Sequence, residues 1–117
     1  MPETKLNAYF EKLNRLLSEE LTRSLEKIAA VERRNVAAFI AHLVEIRDRK
    51  LHLKLGYSGL FNYCVKHFRL SEGSAGSRCR VAEVARRFPQ VLDALAAGKI
   101  SLTVASLLAR ELTEEKR

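Results

Sequence analysis

The sequence predicts an all-α protein, a single compact domain of about six helices that includes a helix-turn-helix. Three observations carry that expectation. Apolar residues recur every three or four positions along nearly the whole chain. No segment alternates with period two for long enough to make a strand. Only two prolines and five glycines interrupt 117 residues. That length suits one core rather than two, and 47% apolar with 30% charged residues is the balance of a folded chain rather than a disordered one.

From the N-terminus, Leu6, Phe10, Leu13 and Leu17 share one face of an expected helix over Glu3 to Leu17. Ser18 suits the cap of a second helix, about Glu19 to Ala30, striped by Leu21, Leu25 and Ile28. A third, about Glu32 to Lys50, carries Val36, Phe39, Ile40, Leu43 and Ile46. No Gly or Pro separates the second from the third, so their continuity stays open. Leu51–Tyr57 reads as a packed connection stopped by Gly56.

A helix over about Ser58 to Phe68 follows, with Leu60, Phe61, Cys64, Val65 and Phe68 apolar. After the Arg69-Leu70 connection, Ser71 is a good N-cap for Glu72 to Arg87, and Glu72 complements the positive end of that helix. Phe88-Pro89 ends it, because the residue before proline avoids the helical region. Pro89 to Ala97, closed by Gly98, and Leu102 to about Leu112, capped by Ser101, complete the chain. The whole of 1–117 is thus expected to be one domain. Residues 1–50 supply N-terminal helices with a candidate dimerisation surface, 58–88 the helix-turn-helix, and 89–112 a C-terminal helical pair.

Charge is unevenly placed. Residues 1–30 carry five bases and five acids, and residues 101–117 three of each, so the formal +7 lies entirely within 31–100. A localised excess of this kind suits a polyanion, although ordinary basic solvation would give it too. Cys64 and Cys79, with His42, His52 and His67, lack metal-ligand spacing, and no cofactor is expected. Each thiol reads as a small buried hydrophobe. There is no apolar run of membrane-span length and no signal-peptide core, which places the expected setting in the cytoplasm, associated with the nucleoid in a bacterium.

Residues 58–88 supply the two helices and short turn that a helix-turn-helix needs. At about 100° per residue, Ala75, Val81, Ala82, Ala85 and Phe88 share one side of the second helix, leaving Gly73, Gly76, Ser77, Arg80 and Arg87 opposite. Glycines inside a helix cost about 1 kcal/mol each relative to alanine. Close approach to a duplex would explain that cost. The expected DNA contacts are Ser71, Ser74 and Ser77 near the helix start, Arg78, Arg80, Arg86 and Arg87 along it, and Lys66 and Arg69 reaching flanking phosphate.

The same residues carry a resemblance. Gly56 to Cys64 (Gly-Tyr-Ser-Gly-Leu-Phe-Asn-Tyr-Cys), the Leu70-Ser71-Glu72 turn, Arg86-Arg87-Phe88-Pro89 and Gly98-Lys99-Ile100-Ser101-Leu102 resemble the N-terminal region of a bacterial HNH endonuclease family, over roughly residues 19–115. The order Leu-Ser, then Gly-Lys-Ile-Ser, is also similar to the helix-turn-helix core of ParB-type partition proteins, over about 60–110. The resemblance implies DNA binding without catalysis. The nuclease module of such proteins uses paired histidines and an asparagine around a metal, and His42, His52 and His67 do not form it. The chain reads either as a natural short protein that kept the binding half or as a piece of a longer one.

Double-stranded DNA is therefore the expected partner, bound by a homodimer as paired half-sites require. No small-molecule substrate and no enzymatic activity are expected, because acid/base pairs, nucleophile–histidine arrangements and phosphate loops are missing as motifs. A helical interaction module is the alternative. The stripe at Leu6, Phe10, Leu13 and Leu17 fits a partner-facing helix, although such a stripe more often packs on the chain's own core.

Overall fold

The computed structural model describes residues 5–114, which form seven α-helices and no strand. Glu3, where the first helix was expected to begin, lies outside the described residues. Helix α1 spans Lys5–Asn14 and a turn at residues 15–16 separates it from α2, Ser18–Arg49. The two helices left open by the sequence are thus one helix of 32 residues, about 48 Å long at 1.5 Å per residue. It starts one position earlier than expected. Leu17 is the N-cap, and its backbone N–H is satisfied by Glu20 Oε1 at 2.9 Å rather than left open.

At the other end α2 stops at Lys50, which takes the left-handed conformation (φ 57°) and donates its N–H to the Arg47 carbonyl at 3.0 Å. Glycine normally occupies such a cap, so no residue type announces it. The expected packed connection contains one helical turn, α3 (Leu51–Lys54), and Gly56 at φ 97° turns the chain after it. Helix α4 is Leu60–Lys66 and α5 is Glu72–Ala85. Between them Arg69 is left-handed (φ 57°) and the Leu70 N–H bonds the Cys64 carbonyl at 3.2 Å. Helix α6 covers Gln90–Ala96. Gly98, at φ 77°, closes it with paired bonds from its own N–H to Leu95 and from the Lys99 N–H to Ala94, a Schellman arrangement. Helix α7 is Leu102–Glu114, with Ser101 Oγ accepting from the Val104 N–H at 3.1 Å.

The core lies around α5. Ile40 and Leu43 of α2, Cys64 of α4, and Val81 and Val84 of α5 are its largest wholly enclosed side chains. Ala75, Ala82, Ala85, Ala105 and Ala109 let α5 and α7 approach closely, while Val91 and Leu95 bring in α6. Helix α5 packs against α2, α4, α6 and α7, and is the central helix of the body.

Outside that body lies an arm. No residue of α1 is buried, and the first buried residue of α2 is Ala37. The radius of gyration is 17.9 Å and the extents are 56 × 33 × 21 Å, where a compact chain of this length would have a radius near 13 Å. The difference is the projecting arm. Among the described residues no helix is long and apolar enough to cross a membrane.

Candidate nucleic-acid interface

The nine residues expected to touch DNA do not form one surface. They fall into three groups.

The first group collects at the start of α5. Ser71 is its N-cap and accepts from the Ser74 N–H at 3.1 Å. Ser74 Oγ in turn accepts from Arg78 Nε, also at 3.1 Å. The Arg78 guanidinium lies 4.8 Å above the Phe39 ring of α2, a cation–π contact on a half-buried side chain. Phe39 meets Phe68 edge-on at 5.4 Å between centroids. This brings Arg69, next along the chain, and Lys66, in the last turn of α4, to the same end of the molecule. Both are exposed, and no carboxylate pairs with either among the described residues. The first turn of α5 is open beside them: Ser71, Glu72 and Gly73 are exposed, and nothing lies within 4 Å of where a Gly73 side chain would begin.

The second group is turned inward. Arg80 donates to Ser106 Oγ of α7 at 2.8 Å and is half-buried in the α5–α7 contact. Ser77 is half-buried one turn earlier. The open face expected along the whole of α5 is therefore corrected. Val84, wholly buried, lies on that side with Ser77 and Arg80, and α7 covers it. A methyl group placed on Gly76 would meet the Phe61 ring of α4 at 4.0 Å. Of the small residues that suggested room for a duplex, Gly73 stays open, whereas Gly76 and Ser77 are half-buried beside neighbouring helices.

The third group stands at the far end of α5, about 20 Å from the first at 1.5 Å per residue. Arg86 bridges Asp48 at 2.8 Å and Glu45 at 3.2 Å, both on α2. Hydrogen bonds from Arg49 and then Arg86 hold the Glu45 carboxyl below its ordinary value. Arg87 is exposed, 5.7 Å from the Phe88 ring.

Sequence reasoning missed the partners that decide these fates: Phe39, Glu45, Asp48 and Ser106. Glu45 and Asp48 are visible as acids on α2, but nothing local says that α2 crosses the end of α5. Arg47 marks that crossing, donating to the Ala82 carbonyl at 3.1 Å.

The remaining candidates for chemistry are dispersed. His42 Nδ1 hydrogen-bonds the Ala38 carbonyl, His67 Nδ1 hydrogen-bonds the Tyr57 hydroxyl at 3.0 Å, and His52 is buried. No group of three or more histidine, cysteine or carboxylate side chains is placed to hold a metal among the described residues. Cys64 and Cys79 are free thiols on facing helices. The hydrogen bond between them, with burial, pushes the Cys79 thiol well above its ordinary value and keeps it protonated.

No family model, curated protein or solved structure matches this chain.

Proposed function

We propose that the protein binds double-stranded DNA through the α4–turn–α5 unit, used as a helix-turn-helix, as a small regulator or nucleoid-associated factor of the cytoplasm. The observation that carries this reading is the pair Lys66 and Arg69, exposed and without carboxylate partners beside the open first turn of α5. Backbone N–H groups at a helix start and nearby cations suit phosphate oxygens. The body carries the entire formal +7, which adds long-range attraction to a polyanion. The resemblance of residues 19–115 to the non-catalytic part of HNH endonucleases, and of 60–110 to ParB-type partition proteins, points the same way from sequence.

The contact set differs from the sequence expectation. Lys66, Arg69 and Ser71 at the open first turn of α5 make its centre, while Ser74 and Arg78, bonded to each other and with Arg78 over the Phe39 ring, support that turn. Arg80 and Arg86 already have internal partners, so they contribute through folding. With few free base-reading groups, phosphate contact dominates and sequence preference is weak. Two copies on one duplex belong to this reading, because helix-turn-helix proteins bind paired half-sites.

Fluorescence anisotropy with a random duplex of about 30 base pairs tests it, using a salt slope of about −0.9 in log K per phosphate neutralised. Binding at low salt with a steep slope is expected. Lys66→Glu with Arg69→Glu should weaken it at least tenfold and flatten the slope, whereas Arg86→Gln should change it little. Equal affinity for the double variant and the wild type would sink the assigned surface.

A further inference from the structure

A long apolar surface belongs to the arm, where none of the described residues covers it. Leu17, Leu21, Leu25, Ile28 and Val31 are all exposed, Leu17 at 70% and Leu25 at 65%. They fall on one stripe of α2. At 3.6 residues per turn this stripe points about 130° away from the face that carries Ala37, Ile40, Leu43 and Val44 into the body. The stripe therefore lies largely off the face that enters the core, and it meets the body at its edge, where Phe39 and Ile46 are half-buried. Helix α1 adds Leu6 at 67% and Phe10 at 65%. Monomeric proteins seldom leave contiguous apolar patches larger than about 300–600 Å² open. From Leu17 to Ile46 on one face, the stripe and its continuation span about 44 Å of helix, and at about 10 Å wide they reach that range.

The stripe also leads somewhere. Asn35, Phe39, His42 and Ile46 continue the same face of α2 towards its C-terminus. There, with Ala38, Leu43 and Phe68, they line an almost wholly apolar groove of about 340 Å³. One face of a 32-residue helix thus carries exposed leucines at one end and an apolar groove at the other.

We propose that this face pairs two copies of the chain, with their α2 helices antiparallel. Charge selects the occupant and the orientation. Residues 1–30 are neutral, with five bases and five acids, while each body carries +7. Each neutral arm meets residues 32–46 of the other copy, which carry two bases and two acids, and an antiparallel arrangement places the two bodies at opposite ends of the pair, where their repulsion is smallest. Spacing agrees with this. Centred near Val31, an antiparallel pair sets Leu17 of each copy beside Ile46 of the other and Leu21 beside His42, so the arm leucines fill the groove. The arrangement is isologous, and a two-fold pair closes on itself. The pairing supplies a surface for the two-copy state in the DNA-binding reading but does not depend on DNA binding.

Sedimentation equilibrium of the whole chain at tens of micromolar, in the absence of DNA, is the test. The expected mass is twice 13.3 kDa. Leu21→Glu with Leu25→Glu should reduce it to a single chain while the far-ultraviolet circular dichroism of the body remains helical, since neither side chain reaches the core. A wild-type mass of one chain, or a series of larger species, overturns the proposal. Leu17→Cys probes orientation: antiparallel pairing keeps the two introduced thiols apart, so a disulfide-linked dimer on mild oxidation, absent from the wild type, overturns it. A stable dimer that fails to bind any duplex would leave this inference standing and remove the DNA-binding reading.

Discussion

Arg80 shows how a residue's surroundings override its type. As an arginine on a basic helix it suits a phosphate or a guanine edge, yet its guanidinium is spent on Ser106 Oγ at 2.8 Å across the α5–α7 contact. Arg78 and Arg86 are likewise engaged, one over the Phe39 ring and one between Glu45 and Asp48. Hydrogen bonds to a charged group contribute about 1.5–3 kcal/mol when enclosed, and less here because Arg80 is only half-buried. Arg80→Met keeps the aliphatic stem and removes the bond, leaving Ser106 (4% exposed) without its partner. A loss of about 1 kcal/mol in urea unfolding is expected, with DNA affinity changed by less than threefold. A variant as stable as the wild type but unable to bind DNA would return Arg80 to the interface.

Among the elements, α5 carries the most structure with the least apolar bulk. Ala75, Ala82 and Ala85, all wholly or nearly wholly enclosed, allow its neighbouring helices to approach closely. Its start depends on Ser71, whose Oγ receives the Ser74 N–H at 3.1 Å. Ser71→Ala should cost about 1 kcal/mol of global stability, read as a lower urea midpoint at an unchanged slope. Ser71→Asp should restore most of it, because aspartate caps as well as serine. No change in the alanine variant would mean the first turn is held by packing alone. This cap, the Ser101 cap and the Gly98 closure are all legible in the sequence, since each depends on a residue's own side chain or its own backbone freedom. The Lys50 and Arg69 turns are not legible. A left-handed lysine or arginine is imposed by the helices on either side, and neither residue type announces it.

At the scale of the molecule, a packed body and a projecting arm have different stabilities. Slow amide exchange in Ile40, Leu43, Val81 and Val84 reports global unfolding of the body, whereas the amides of α1 and of residues 18–31 have only helix hydrogen bonds to protect them. If the arms pair as proposed, protection of residues 18–31 rises steeply with protein concentration, and that of the body, set by global unfolding, rises with it by mass action. Hydrogen exchange measured at two concentrations reads both at once, and concentration-independent arm protection would speak against pairing.

By itself, the sequence determined that the protein is helical, nearly where each helix from α4 onward begins and ends, and that the positive charge is confined to the middle of the chain. These are local or additive properties: periodicity, capping chemistry and counting. It left the continuity of α2 open, because that long stretch contains no breaker and a bend would have needed none. Only the tertiary structure decided which arginines remain free and which face of α5 is open. Alanine, glycine and serine fit either a solvent face or a tight helix crossing, so their pattern cannot tell the two apart. The stripe at Leu6, Phe10, Leu13 and Leu17 was visible from the start, with two readings, a partner-facing helix or one packed on its own core. In the fold Leu6, Phe10 and Leu17 are exposed and no residue of α1 is buried, so the stripe does not pack on the chain's own core.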